Sequence, residues 1–185
     1  RFGGRQGPLR VLVVGGSLGA AILNVTVPQA LARLPAGERP LVTHQAGEKQ
    51  IDALRAAYRD AGVEGELLPF IDDMAARYAA ADLVICRAGA LTVAELAAVG
   101  AASLLVPFPY AVDDHQSGNA RFLSEHGAAF LLPQPELDAD KLAGILAGLT
   151  RERLQEMACK ARELAKPQAA ADVAAECARL AGGRQ

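Results

Sequence analysis

Tryptophan is absent from this 185-residue sequence, and Phe and Tyr bring the aromatic share to only 4%. A surface that stacks the bases of single-stranded nucleic acid needs more platforms than that. An excess of either charge is missing too: 19 Lys and Arg stand against 21 Asp and Glu, for a net charge of −2. With no basic excess and no acidic block, neither nucleic acid as a partner nor an acidic tail is indicated. Cysteine is scarce. Cys86, Cys159 and Cys177 are odd in number, widely spaced and form no Cys-x-x-Cys pair. That argues against a disulfide framework and a structural zinc site, and makes a reducing cytoplasm the default compartment. No run of about 18 apolar residues, the length of a membrane span, occurs. The longest candidate, 101–112, is cut by Pro107 and Pro109. No signal-peptide pattern opens the chain. It begins at Arg1, with methionine only at Met74 and Met157, so it is expected to be a piece of a longer protein.

What is present is a large apolar fraction, 51%, enough for the core of one compact domain. Residues 1–9 read as a Gly- and Pro-punctuated linker. Residues 10–14, Arg-Val-Leu-Val-Val, form a continuous apolar run that ends in Gly15-Gly16. Continuous rather than alternating hydrophobicity predicts a strand buried on both faces, hence a parallel sheet. Further strands are expected at 41–44, 66–70, 82–86, 103–106 and 128–132. Helices are expected at about 19–34 (with Pro28 as a kink or new turn), 48–61, 72–80 behind an Asp72 cap, 92–99, 116–125, 138–148, 151–165 and 167–181. The alternation gives an α/β class with a doubly wound, mostly parallel, six-stranded Rossmann-like sheet. The body is expected to span 10–166, with 167–185 a terminal helix. That helix carries Val173, Cys177 and Leu180 on one stripe, and its polar face is not basic enough for a membrane anchor.

In such a sheet, ligands bind beyond the carboxyl ends of the strands, near the switch in strand order. Four loops there carry chemistry. Gly15-Gly16-Ser17-Leu18-Gly19-Ala20 is a strand-to-helix turn whose glycines allow close backbone approach and whose helix start suits a phosphate. It departs from the dinucleotide fingerprint, because Ser17 stands where a second Gly belongs and no acid follows His44-Gln45-Ala46-Gly47. No Gly-Lys-Ser/Thr makes it a P-loop either. The turn serves equally to pack helix on strand. After the fourth strand comes Arg87-Ala88-Gly89-Ala90-Leu91-Thr92-Val93-Ala94-Glu95. Here Thr92-x-x-Glu95 fits a capping box, while Glu95 as a free carboxylate matches the two adjacent hydroxyls of a ribose. Residues 107–120 are dense in hydrogen-bonding groups, including Asp113, Asp114, His115, Gln116 and Asn119. The Asp pair has no third ligand at metal spacing, so no metal is expected. In the Pro69–Met74 segment, Phe70 and Ile71 either flank a planar base or form a core aromatic with an Asp72 helix cap. His44 and His126 read as ordinary structural residues.

In this order and spacing, GGSLGA, FIDDM, CRAGALTVAEL and DDHQSGNA resemble the carboxy-terminal domain of the MurG family, the undecaprenyl-diphospho-muramoylpentapeptide β-N-acetylglucosaminyltransferases. The resemblance covers essentially the whole chain. It implies one half of a two-domain GT-B glycosyltransferase with UDP-N-acetylglucosamine as donor substrate and no tightly bound cofactor. It places uracil against Phe70 and the backbone of Ile71. Gly16, Ser17 and Gly19 lie by the diphosphate with Leu91 and Thr92, and Ala90, Val93 and Ala94 belong to the same substrate-binding stretch. Glu95 takes the ribose hydroxyls, and Gln116 and Asn119 reach those of the sugar. His115 stands at a position that the family varies. The resemblance further implies a missing N-terminal domain that binds the undecaprenyl-linked acceptor and the cytoplasmic face of the bacterial inner membrane. The 167–185 helix is expected to pack toward that domain. No catalytic base is expected in this chain, which alone is expected to be soluble and inactive. Other readings are the donor half of a related UDP-sugar enzyme such as an epimerase, a nicotinamide oxidoreductase, or a non-catalytic interaction domain of the same fold.

Overall fold

The computed structural model describes residues 4–16 and 20–182. Short aliphatic runs form the strands β1 (Arg10–Val14), β2 (Leu41–Gln45), β3 (Glu66–Leu68), β4 (Leu83–Cys86), β5 (Ser103–Leu105) and β6 (Ala129–Leu131). They make a 6-stranded sheet in the order β3-β2-β1-β4-β5-β6, with every neighbouring pair parallel. The chain winds outward from β1 to β3, returns to the middle at β4, and winds outward the other way. The strand order therefore reverses between β1 and β4, and a crevice opens beyond their carboxyl ends.

The helices are α1 (Ala21–Arg33), α2 (Ile51–Ala61), α3 (Met74–Ala80), α4 (Ala90–Val99), α5 (His115–Ser124), α6 (Ala139–Ala147), α7 (Arg151–Glu163) and α8 (Ala169–Gly182). Side chains alternate across the strands. Val11, Val13, Leu83, Ile85 and Leu104 pack on one face with residues of α1, α2 and α6. Leu12, Val84, Cys86 and Leu105 pack on the other with residues of α3, α4 and α5. Burial on both faces is the reason the strands lack polar alternation. The buried Cys86 thiol is pushed up to about 12 by desolvation, which keeps it a neutral core residue.

Several boundaries differ from expectation for local reasons. α1 runs through Pro28 without ending there; it forgoes the one backbone bond that proline cannot donate. α3 starts at Met74, and its cap is Asp73 rather than Asp72: the Asp73 carboxylate accepts from Ala76 N at 2.8 Å. α4 starts at Ala90 rather than Thr92, because Gly89 takes the extended cap conformation (φ −63°, ψ 147°). α4 ends on Gly100 at φ 65°, and a Cβ there would stand 3.0 Å from the Ala158 carbonyl oxygen of α7. Both conformation and close helix approach therefore require glycine at that position.

The amino edge of the sheet is tied by one carboxylate. Asp82 is fully buried; its Oδ2 accepts from Arg10 N at 2.9 Å and its Oδ1 from Arg5 at 2.8 Å. Arg151, opening α7, reaches Asp82 at 3.3 Å and the carbonyl oxygens of Gly7 and Pro8. In contrast, all residues from 169 to 181 of α8 are exposed, with Val173 63% and Leu180 60% accessible.

Candidate functional site

Because the sheet is parallel, the loops after β1, β3, β4 and β5 all leave from one edge. Gly15 N donates to the Gln45 carbonyl at 3.0 Å, and Gly16 follows at φ 78°. Ser17 and Gly19, both expected by the diphosphate, lie outside the described residues.

The loop after β4 decides between the two readings of Thr92-x-x-Glu95. A capping box needs Thr92 outside the helix as its N-cap. Thr92 is instead inside α4, the cap is Gly89, and no side chain caps this helix. The box does not form. Helix geometry leaves the amides of the first turn, from Ala90 to Thr92, without intrahelical acceptors. Val93 N is the first to be satisfied, by Gly89 O at 2.9 Å. Leu91 is 80% exposed, Ala90 and Ala94 are exposed, and Thr92 is half-buried. Val93 is 5% exposed and packs in the core, so only its backbone faces the loop side.

Glu95 is exposed, and its Oε2 accepts from the Tyr78 hydroxyl at 3.2 Å. Tyr78 is 3% exposed, and burial raises its phenol well above the ordinary range. The hydroxyl therefore stays a donor and orients the carboxylate, whose other oxygen has capacity for further donors.

Beyond β5, Asp113 (φ 53°) and Asp114 (φ 50°) both adopt left-handed backbone, a conformation that Asp tolerates better than most residues but at a cost. Ser117 Oγ donates to Asp114 at 2.6 Å. Gln116 Oε1 accepts from Phe108 N at 3.0 Å, and Asn119 Nδ2 donates to Ala88 O at 3.0 Å. These two bonds hold the start of α5 against the loops after β5 and β4. Gln116 keeps its amide donors and Asn119 its carbonyl acceptor for other partners. His115 is exposed.

The Phe70–Ile71 alternatives also separate. Phe70 is 56% exposed, so it is not a core aromatic, whereas the Ile71 side chain is 6% exposed and packs in the core. What Ile71 presents at the edge is backbone.

Tyr78 and Arg87 also contact this edge, and the sequence assigned neither a role. Tyr78 is buried on α3, and only the fold brings its hydroxyl to Glu95 on α4. Arg87 directs Nη1 to the Val106 and Pro107 carbonyls at 3.2 Å and Nη2 to Gln134 at 2.7 Å, and it stands 5.4 Å from the Phe108 ring centre. It joins the loops after β4, β5 and β6. Each partner is distant in sequence, so no local pattern announced it. Among the described residues, no three His, Cys, Asp or Glu side chains cluster in metal-binding fashion. A surface cavity of about 970 Å³ opens at the opposite edge, lined in part by Arg10, Leu12, Thr43, Glu66 and Arg77. Its Glu66 carboxylate is committed to Arg77 and Thr43, and none of the motif residues lines it.

Residues 10–176 match the glycosyltransferase family 28 C-terminal domain. The chain is 73% identical over its full length to a UDP-N-acetylglucosamine–N-acetylmuramyl-(pentapeptide) pyrophosphoryl-undecaprenol N-acetylglucosamine transferase of Aromatoleum aromaticum, covering 52% of that protein. It is 74% identical to the protein of the same name from Azoarcus sp., again covering 52% of it. It thus spans about half the length of these curated relatives. The crystal structure of Acinetobacter baumannii MurG superposes with a TM-score of 0.86 at 46% identity, over 93% of this chain and 50% of that one.

Proposed function

The chain belongs to the glycosyltransferase family 28 C-terminal domains, and from that premise we propose that it is the donor-binding half of an inverting hexosyltransferase. The reaction transfers N-acetylglucosamine from UDP-N-acetylglucosamine to the C4 hydroxyl of an undecaprenyl-linked muramoyl-pentapeptide, converting lipid I to lipid II in peptidoglycan synthesis. The observation that carries this reading is the uncapped start of α4 beside an exposed, Tyr78-braced Glu95. A diphosphate needs backbone amides, and a ribose diol needs a carboxylate with a spare oxygen; here they stand on one helix, two turns or less apart.

On this reading Phe70 lies against the uracil and the Ile71 backbone reads its edge. Gly16, Ser17 and Gly19, together with Leu91 and Thr92, lie by the diphosphate, and Ala90, Val93 and Ala94 complete the same substrate-binding stretch. Glu95 holds the ribose, and Gln116 and Asn119 contact the sugar hydroxyls with the polar capacity they retain. As the C1–O bond to UDP breaks, negative charge builds on the diphosphate. Helix N-terminal amides fixed in advance oppose that charge without reorganising, each helix end contributing about 0.3–2 kcal/mol. The proton of the attacking hydroxyl is not assigned to any group of this chain.

The relatives are about twice as long as this chain, which supports a partner domain on the amino-terminal side that holds the lipid-linked acceptor. That domain also gives the exposed stripe of Val173, Cys177 and Leu180 on α8 a surface to cover. No helix among the described residues is long and apolar enough to cross a membrane. Attachment to the cytoplasmic face of the inner membrane is assigned, with the acceptor, to the partner domain on the family resemblance alone. Calorimetry with a panel of nucleotides, and a transfer assay with a lipid-linked acceptor, test the reading. UDP and UDP-N-acetylglucosamine are expected to bind this chain, NAD(P) is not, and transfer by this chain alone is not expected. Binding of NAD(P) but not UDP, or robust turnover by this chain, contradicts it.

A further inference from the structure

Gln45 ends β2 and is 4% exposed. In dinucleotide-binding sheets the end of this strand supplies an acid that reads a ribose. Here the side chain is neutral and spans two loops. Its Oε1 accepts from Gly16 N at 3.1 Å, and its Nε2 donates to Gly16 O at 3.1 Å and to Pro69 O at 3.0 Å. One carboxamide thus pairs with both backbone groups of Gly16 and pins the residue before Phe70. Both amide hydrogens are used. Gly16 stands at φ 78°, and nothing among the described residues lies within 4 Å of a Cβ built on it. The positive φ is itself a reason for glycine here, and the bonds from Gln45 hold that conformation.

We propose that Gln45 is a positioning residue that couples the diphosphate turn to the base loop, presetting their spacing for one nucleoside diphosphate. This rests on the nucleotide reading above. Gln45 does not touch the ligand; it acts through Gly16 at one end and Pro69 at the other. Only a carboxamide of this length fits the task. Glu would set a carboxylate against two carbonyl oxygens and lose both donors. Met would keep the shape and lose all three bonds.

The test is titration of uridine, UMP and UDP into the native chain, Gln45→Met and Gln45→Glu, with unfolding midpoints measured alongside. The ratio of UDP to uridine affinity is expected to fall about tenfold in Gln45→Met, the scale of buried hydrogen bonds lost, and further in Gln45→Glu. A lower midpoint with the native ratio retained overturns the proposal, because Gln45 then only stabilises the fold. Amide exchange on the native chain decides the matter even where a variant does not fold. Uridine, which does not reach the turn, is expected to raise protection of the Gly16 amide by tightening the Pro69 end. Unchanged Gly16 protection on saturation with uridine overturns the coupling. A native chain that binds neither uridine nor UDP instead overturns the nucleotide reading itself, and the two failures are thereby distinct.

Discussion

The two edges of the sheet handle polar groups in opposite ways. At the amino edge, Asp82 is fully buried and surrounded by donors: the Arg10 amide, Arg5 and Arg151. Burial works to raise its pKa, but those donors outweigh it and hold the carboxyl below the usual carboxylate range. At the carboxyl edge, Glu95 is exposed with a hydrogen bond from Tyr78, and Gln116 and Asn119 are half-buried, each bonded to one backbone group. A buried, saturated charge has nothing left to offer a ligand and contributes to stability. Partly satisfied groups in the first turns of α4 and α5 contribute little to stability and retain capacity to bind.

That contrast can be broken most visibly at Asp82. Asp82→Ala strips the counter-charge from Arg5 and Arg151 and is expected to cost about 3–5 kcal/mol in urea unfolding. Nucleotide affinity of the folded fraction should not change; an affinity loss without a stability loss would undo the division between the edges. The next effect is set by pH. His44 is fully buried, with Nδ1 3.1 Å from the Tyr58 hydroxyl and Nε2 3.1 Å from Asn24 Oδ1. Because Asn24 Nδ2 donates to Gln50, its Oδ1 is left to accept, so Nε2 carries the hydrogen and Nδ1 accepts from Tyr58. Burial lowers the His44 pKa from 6.5 to about 3. Between those values the unfolded chain binds a proton that the folded chain refuses. Stability is therefore expected to fall with falling pH by about 1.4 kcal/mol per unit across that window. Urea midpoints from pH 7 to pH 4 measure the slope, which His44→Leu should flatten.

A smaller effect, of opposite kind, is expected at the carboxyl edge. Glu95→Ala should weaken UDP binding by about 1–3 kcal/mol while stability stays within about 0.5 kcal/mol. The reverse pattern would restore Glu95 to a helix-capping role. The smallest effect belongs to α8. Ending the chain at Lys166 removes α8, whose residues 169–181 are all exposed, and thermal or urea stability should move by less than about 0.5 kcal/mol. A larger loss would mean that α8 docks on this body rather than on a partner domain.

The strands were the most legible part of the sequence, because an unbroken apolar run such as Val11–Val14 has few other fates. Their lateral order was not, since it depends on which helices cross which face. Helix starts failed where more than one nearby residue could cap: Asp73 displaced its neighbour Asp72, and Gly89 displaced Thr92 three positions on. That second shift had a functional consequence, because it removed the capping box and left Glu95 available. Local motifs pointed to Glu95, Gln116 and Asn119. The contacts of Tyr78, Arg87 and Gln45 were invisible because their partners lie on other segments, which only the parallel sheet brings to one edge.

A uridine diphospho-sugar bound at this edge is expected to be held through α4 and Glu95. Calorimetric titration of UDP-N-acetylglucosamine into the native chain and into Glu95→Ala, in the presence of a metal chelator, tests this expectation most directly. Saturable binding to one site is expected in the native chain, with a loss of about fivefold to 150-fold in the variant. Absence of saturable binding in the native chain, or undiminished affinity in Glu95→Ala, would contradict it.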